Sequence, residues 1–301
     1  MNMTLKQVEA FYWAATLANF SRAAERLFLS QSSLSKRIAE LEVQLDKPLF
    51  DRSGHRALLT PAGKTLLPLA RRFITAGNDL VEGMSESIQV RGICRFGLGE
   101  LAALSWLPRL VAGARAAYPD LVMEPHVDLG QVLEQRVESG ELDFAVVAGK
   151  SNRAALSSHV IARVRFEWVG APSLVGDERV VNRRMLEQIA VITMPGEAGS
   201  AREFDNWLIA NGLEVERRLR CNNLSAIVGL VTAGVGISFL PEGWIEPLVA
   251  RGDLVRLESS PALPQLAYAF QARRDEVRPM VRQMRALVTR EADFATPNRL
   301  L

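Results

Sequence analysis

Two apolar patterns of helical period, one over Arg22–Phe28 and one starting at Gln31, are separated by only Leu29 and Ser30. In the first, Ala23, Ala24 and Leu27 share a face; in the second, Leu34, Ile38, Leu41 and Leu45 do. So short a connection turns the chain sharply and holds the second helix out from the body. Ser21 and Ser30 are the expected N-caps, because a Ser hydroxyl accepts from free backbone N–H groups at a helix start. An earlier helix is predicted from Leu5, Val8, Phe11, Tyr12 and Ala15. The outer face of the helix from Gln31 carries Gln31, Ser32, Ser35, Lys36 and Arg37. Such groups donate to phosphates or read base edges in a major groove. The same spacing also fits a solvated polar face on a small helical bundle.

The segment that follows favours the nucleic-acid reading. Leu49–Thr60 reads as strand, turn and strand, with Ser53-Gly54 at the turn and Arg52 and Arg56 flanking its tip. A basic β-wing beside a projecting helix reaches the DNA backbone or the adjoining minor groove. Residues 1–72 hold eleven Lys/Arg against six acids, a net +5, which leaves −3 for the rest of the chain. A basic head on a slightly acidic body suits a polyanion at one end. Thr60-Pro61 then opens a long helix running to about Gln89. Along it Leu66, Leu69, Phe73 and Leu80 form a narrow stripe, with 66, 73 and 80 seven apart, as in helix pairing. Gly77 and Gly83 limit the length of any such coil.

From Ile93 strands and helices alternate. Strands are predicted at Ile93–Gly97, Val122–Val127, Phe144–Ala148, Phe166–Gly170, Ile189–Thr193, Arg217–Cys221, Gly236–Leu240 and Leu266–Gln271. Helices are predicted at Ser105–Tyr118, Leu129–Ser139, Ser200–Asn211, Leu224–Thr232, Glu242–Val249 and Pro279–Glu291. The class is α/β with a mainly parallel sheet, and about 200 residues suit two small lobes. Cys221–Pro241 is free of charge, but its glycines and polar residues read as a buried helix, a turn and a strand rather than a membrane span.

The head resembles the LysR-type transcriptional regulators. The resemblance rests on Phe20-Ser-Arg-Ala-Ala-Glu-Arg-Leu27, Leu29-Ser-Gln-Ser-Ser-Leu-Ser35, Ile38-Ala-Glu-Leu-Glu42, Pro48-Leu-Phe-Asp-Arg52 and Leu59-Thr-Pro-Ala-Gly63. Looser matches continue it: Leu107-Pro108, Tyr118-Pro119, Gly140-Glu-Leu-Asp143 and Gly234-Val-Gly-Ile-Ser-Phe-Leu-Pro241. It implies a winged helix-turn-helix over residues 1–60 and a dimerising linker helix over 61–90. It further implies a two-lobed, periplasmic-binding-protein-like effector domain. Lobe I would take 91–163 and 266–295, and lobe II 164–265, with crossings near Ala162–Arg165 and Pro264–Leu266. The implied partners are duplex operator DNA, a small effector, a second copy of the chain, a tetramer of copies and RNA polymerase. Many members have Pro where this chain has Ser32, which alters contacts in the first turn of the reading helix.

In such sheets ligands lie beyond the carboxyl ends of strands. That nominates Gly99, Glu100, Leu101, Asp128, Gly149, Met194, Ser200, Arg202, Asn223 and Leu224, each of which also serves as an ordinary loop or cap residue. Ser200 and Arg202 at a helix start favour an anionic effector. Glu100 either pairs with a cationic group of the ligand or bridges to Arg202. Family members that bind carboxylates often place Ser or Thr just after the first effector-domain strand. Here the loop reads Gly99-Glu-Leu-Ala-Ala103, so a carboxylate ligand transfers poorly.

Competing classes are weaker. Gly97-Leu-Gly-Glu-Leu-Ala102 matches a dinucleotide fingerprint, but no acid stands at the expected distance beyond it. Catalytic Ser, Walker and zinc-protease motifs are missing from the sequence, so an enzyme is not expected, nor is a cofactor. A DNA-binding dimer with an inert pocket is a third reading. The three histidines have no metal-ligand spacing. The two cysteines, Cys94 and Cys221, fit a reducing cytoplasm, and no signal peptide precedes the first helix.

Overall fold

The computed structural model describes residues 3–51, 58–84 and 90–295. The chain divides into two compact units. The first comprises residues 1–90 with 139–141 and 274–282; the second holds the remainder.

The first unit is built on α1 (Leu5–Leu17), α2 (Phe20–Arg26) and α3 (Gln31–Leu45), then β1 (Phe50–Asp51), β2 (Leu58–Leu59) and the long α4 (Pro61–Met84). Each start has a chemical cause. The Thr4 hydroxyl accepts from Gln7 N at 3.3 Å while the Gln7 side chain accepts from Thr4 N at 3.0 Å, which satisfies two otherwise free donors. For α2 the cap is Asn19, whose side chain accepts from Arg22 N at 3.0 Å. This replaces the expected Ser21 cap, since Asn19 stands one residue before the helix and Ser21 already lies inside it. Ser30 caps α3 through Ser33 N at 3.1 Å. Phe11, Leu34, Ile38, Leu41, Ala70 and Ile74 are at the centre of one apolar core, where burying each large side chain contributes about 1.5–3 kcal/mol.

The base of the wing is tied on both sides. Glu42 accepts from Leu49 N and Phe50 N at 2.7 and 3.2 Å. Thr60 donates from its hydroxyl to Pro48 O at 2.7 Å and accepts from Gly63 N at 3.1 Å. A Cβ on Gly63 would sit 2.3 Å from Leu49 O, so only glycine lets α4 start this close to β1. Arg52, Arg56 and the expected Ser53-Gly54 turn lie outside the described residues, as does the stretch toward Gln89.

Residues 274–282 also belong to this unit, and they carry a buried ionic cluster. Glu276 receives Arg26 Nη2 and Arg278 Nη2, each at 2.8 Å. The Arg26 guanidinium lies 4.3 Å from the Trp13 ring centroid. Burial pushes the Glu276 carboxyl up, but the charges and hydrogen bonds of Arg278 and Arg26 outweigh it and hold it at about 2.

The second unit contains two sheets. The first is ordered β4-β3-β5-β13-β6, from β3 (Gly92–Leu98), β4 (Leu121–Val127), β5 (Phe144–Ala148), β6 (Leu156–Val164) and β13 (Leu266–Arg273). It is flanked by α5 (Glu100–Ser105), α6 (Leu107–Ala117), α7 (Gly130–Glu138) and α13 (Pro279–Glu291), the last of which begins in the first unit. Phe96, Phe144 and Phe270 stack at its centre, with centroids 5.2 and 4.5 Å apart. The second sheet is ordered β11-β7-β12-β8, from β7 (Phe166–Gly170), β8 (Val180–Val181), β11 (Ser238–Pro241) and β12 (Val255–Ser259). Beside it lie a parallel pair, β9 (Val191–Thr193) and β10 (Arg218–Arg220), and helices α8 (Pro172–Val175), α9 (Arg183–Gln188), α10 (Gly199–Ala210), α11 (Leu224–Thr232) and α12 (Glu242–Ala250). Trp168, Phe204 and Phe239 pack together there.

Both sheets are mixed rather than mainly parallel. The return strand β13 runs antiparallel to β5 and β6, and β7 runs antiparallel to β11 and β12. Strand direction depends on where the chain re-enters each sheet, which local periodicity does not encode. The helix expected over Ser105–Tyr118 is present as α6, and the short α5 precedes it across Trp106, where a loop is expected from the sequence.

Candidate functional site

Two places in the chain present chemistry that the fold itself does not consume. The first is the outer face of α3. Leu34, Ile38 and Leu41 are buried, which turns Gln31, Ser32, Ser35 and Lys36 outward; all four are exposed and Arg37 is half-buried. Ser21 donates to the Gln31 side chain at 3.3 Å. Lys36 has no hydrogen-bond or ion-pair partner among the described residues. On α4, Leu69, Phe73 and Leu80 are 51, 43 and 71% exposed, whereas Leu66 packs partly onto the core of the first unit. The expected stripe is therefore divided, with Leu66 turned inward.

The second place is a cavity of about 600 Å³ in the second unit, well inside the size range of small-molecule sites. It opens at the carboxyl ends of β3, β4 and β5 and is closed from the other side by the starts of α10 and α11. Gly99, Glu100, Leu101, Asp128, Met194, Ser200, Asn223 and Leu224 line it; Gly149 and Arg202 are not part of the lining. Gly149 has φ +85° and donates from its N to Ala267 O at 2.7 Å. A Cβ on it would meet Glu203 and Arg202 at 3.8 and 3.9 Å.

Glu100 holds the most committed position. It accepts from Leu224 N at 2.6 Å through one oxygen and from the Asn223 amide at 3.0 Å through the other. Asn223 also caps α11, accepting from Ala226 N at 2.8 Å. The carboxylate thus lies on a helix N-terminus rather than on Arg202. Burial raises the Glu100 carboxyl above its ordinary range, while backbone donors at Leu224 and Ser225 pull it back only partly. Asp128 accepts from Leu129 N at 2.7 Å and is exposed.

Two details differ from expectation. Ser200 is not a cap: α10 begins at Gly199, and its N-cap Ala198 offers no side-chain hydrogen bond. Gly199 is required there, because a Cβ would fall 1.9 Å from Ala148 O. Tyr268 also lines the cavity and escaped sequence reasoning. It is 4% exposed, and its hydroxyl has no hydrogen-bond partner among the described residues. Burial pushes that phenol up. A Tyr alternating with Leu266 and Phe270 reads as one more core ring, so the sequence held no signal for it beyond a polar tip in an apolar strand.

The fingerprint Gly97–Ala102 has a packing explanation. A Cβ on Gly97 would approach Leu133 Cδ2 to 2.6 Å, so this glycine admits α7 against β3. Among the described residues no group of three His, Cys, Asp or Glu could hold a metal, and no helix is long and apolar enough to cross a membrane. Cys94 is buried and Cys221 half-buried, and neither forms a disulfide.

Comparison with known proteins gives a consistent result. Residues 5–64 match the model described as "Bacterial regulatory helix-turn-helix protein, lysR family", and residues 87–293 match the "LysR substrate binding domain". An uncharacterized HTH-type transcriptional regulator of Bacillus subtilis, YwqM, is 29% identical over 275 residues, 88% of this chain and 92% of its own. Another of Shigella flexneri, YfeR, is 27% identical over 243 residues, 80% of this chain and 79% of its own. A full-length OxyR variant from Pseudomonas aeruginosa superposes with a TM-score of 0.64 at 20% identity, covering 98% of this chain and 97% of that one, a likeness of fold.

Proposed function

The chain belongs to the LysR family of bacterial transcription regulators, DNA-binding proteins with an effector-binding domain, and from that premise we propose that its cavity in the second unit is the effector site. The observation that carries this reading is a cavity of about 600 Å³ lined by loop ends of the first sheet, by the loops after β9 and β10 and by the start of β7, with apolar walls and a few polar groups. An occupant touching both sides favours one arrangement of the sheets, and only such a preference lets binding alter transcription. DNA is met by α3 through Gln31, Ser32, Ser35 and Lys36, supported by the wing residues Arg52 and Arg56. Copies pair through the exposed apolar face of α4, giving a dimer and then a tetramer that presents several heads to operator half-sites and to RNA polymerase in the cytoplasm.

The test is a thermal-shift screen of small metabolites on the full chain and on Leu104→Trp, which fills the cavity from one wall. A compound that raises the melting temperature of the parent and not of the variant supports the site, because a ligand bound to the native state stabilises it. Compounds that stabilise both proteins equally bind elsewhere and overturn the assignment.

A further inference from the structure

We infer that Glu100 makes this cavity selective for a small organic cation, an ammonium group on an apolar body, and against carboxylates. The inference rests on the cavity being the effector site and concerns which molecules enter it.

The lining contains no Lys, Arg or His, and its two charged members, Glu100 and Asp128, are both acidic. A helix N-terminus is ordinarily where an anion binds, since free N–H groups and the helix dipole favour negative charge. At α11 that place is taken by the chain's own carboxylate. Both Glu100 oxygens are seated, one on Leu224 N at 2.6 Å and one on the Asn223 amide at 3.0 Å. A ligand carboxylate arriving here meets a like charge and no compensating cation, the costliest arrangement in a partly dry site. An ammonium meets the reverse. The Glu100 carboxylate, which takes donors from Leu224, Ser225 and the Asn223 amide, keeps lone-pair capacity for a further donor, and Asp128, at the end of the neighbouring strand β4, adds a second negative group to the lining.

An independent feature points to a ligand with hydrogen-bonding capacity. Tyr268 is 4% exposed, lines the same cavity and has a hydroxyl without a partner among the described residues. Its oxygen keeps accessible surface rather than being sealed in, so a ligand in the cavity can reach it. The phenol oxygen can accept from an ammonium, which supplies three donors and no acceptor. The remaining walls, Leu101, Leu104, Leu107, Val127 and Phe166 among them, suit an apolar body.

The experiment uses three probes on one skeleton: 3-phenylpropylamine, 3-phenylpropanol and 3-phenylpropanoate. Each is titrated near neutral pH into the full-length protein and into Glu100→Gln, Asp128→Asn, Tyr268→Phe and Leu104→Trp, read by thermal shift and calorimetry. The amine binds most tightly and the carboxylate weakest. Glu100→Gln weakens the amine about tenfold or more, as expected for a lost charge-assisted hydrogen bond, and leaves the alcohol little changed. Asp128→Asn gives a smaller loss, because that group is exposed, and Tyr268→Phe weakens amine and alcohol alike. A carboxylate that binds as well as the amine, an amine affinity unchanged in Glu100→Gln, or no response to any of the three overturns the inference. If binding persists unchanged in Leu104→Trp, the cavity itself is not the site, a failure of the underlying reading that is distinguishable from a wrong sign of charge.

Discussion

Two carboxylates, one in each unit, have met burial in opposite ways. Glu276 sits between Arg26 and Arg278 and is held at about 2. Glu100 has only backbone N–H groups and one amide, and burial raises it. Both accept hydrogen bonds, so hydrogen bonding does not separate them; the presence of a full counter-charge does. The first is complete as folded and serves the structure. The second is half-buried, with hydrogen-bond donors but no counter-charge, an environment that marks candidate functional groups.

The largest effect that would break this contrast is Glu276→Gln. It leaves two arginines without their shared anion and is expected to cost about 3 kcal/mol, read as a lower urea midpoint of the first unit. The pH dependence has a fixed sign. A carboxyl lowered from its ordinary 4.5 to about 2 contributes stability that is fully present above pH 4.5 and is lost as pH falls through 2. The variant should lose that slope between 4.5 and 2. An unchanged acid limb would mean that the cluster is not a stabilising pair.

A comparable effect is expected when carboxylates are placed on an apolar face instead of between arginines. Leu69→Glu with Phe73→Glu puts two charges on the exposed face of α4. If that face pairs, each lost apolar contact forfeits about 1.5–3 kcal/mol and adds an uncompensated charge. Sedimentation should show smaller species, and an unchanged oligomer would remove these residues from the interface.

The α3 face extends the comparison to groups whose partner comes from outside. Gln31→Ala should relax sequence discrimination by roughly 1–3 kcal/mol if it makes a bidentate base contact. Lys36→Ala should weaken all duplexes alike and reduce the salt slope by about one phosphate. Anisotropy titrations across salt separate the two, and parent-like binding by both variants would place the contact elsewhere.

The smallest expected effect is that of Glu100→Gln on stability in the absence of ligand. The amide still accepts from Leu224 N, so the change should stay within about 1 kcal/mol in urea unfolding. A loss comparable to that of Glu276→Gln would make Glu100 a structural group too and erase the contrast.

Much of this was legible in the sequence, and what was not has a physical reason. The helix-turn-helix, the Ser30 cap and the Leu34/Ile38/Leu41 face follow from local periodicity and capping chemistry. The turn into α2 did not, because Asn19 and Ser21 are both good caps and only the backbone chooses between them. Loop ends near a cavity were foreseeable from strand ends, as Glu100 and Asn223 illustrate. That Glu100 would meet α11 and not Arg202 depends on a contact across more than a hundred residues. Tyr268 and the antiparallel return of β13 are equally non-local. The need for Gly199 is non-local in the same way, since it lies in its contact with Ala148 O, against which no larger residue fits.

The seat of Gly63 on Leu49 O has a mechanical consequence. At about 1.5 Å per residue, the 24-residue α4 is a shaft roughly 36 Å long. Its lower end is keyed to the wing base by Thr60, by Gly63 and by the carbonyl beneath it, with no space for slack. Any roll of α4 about its own axis becomes a swing of β1 and β2, and an alanine at position 63 would strip the key.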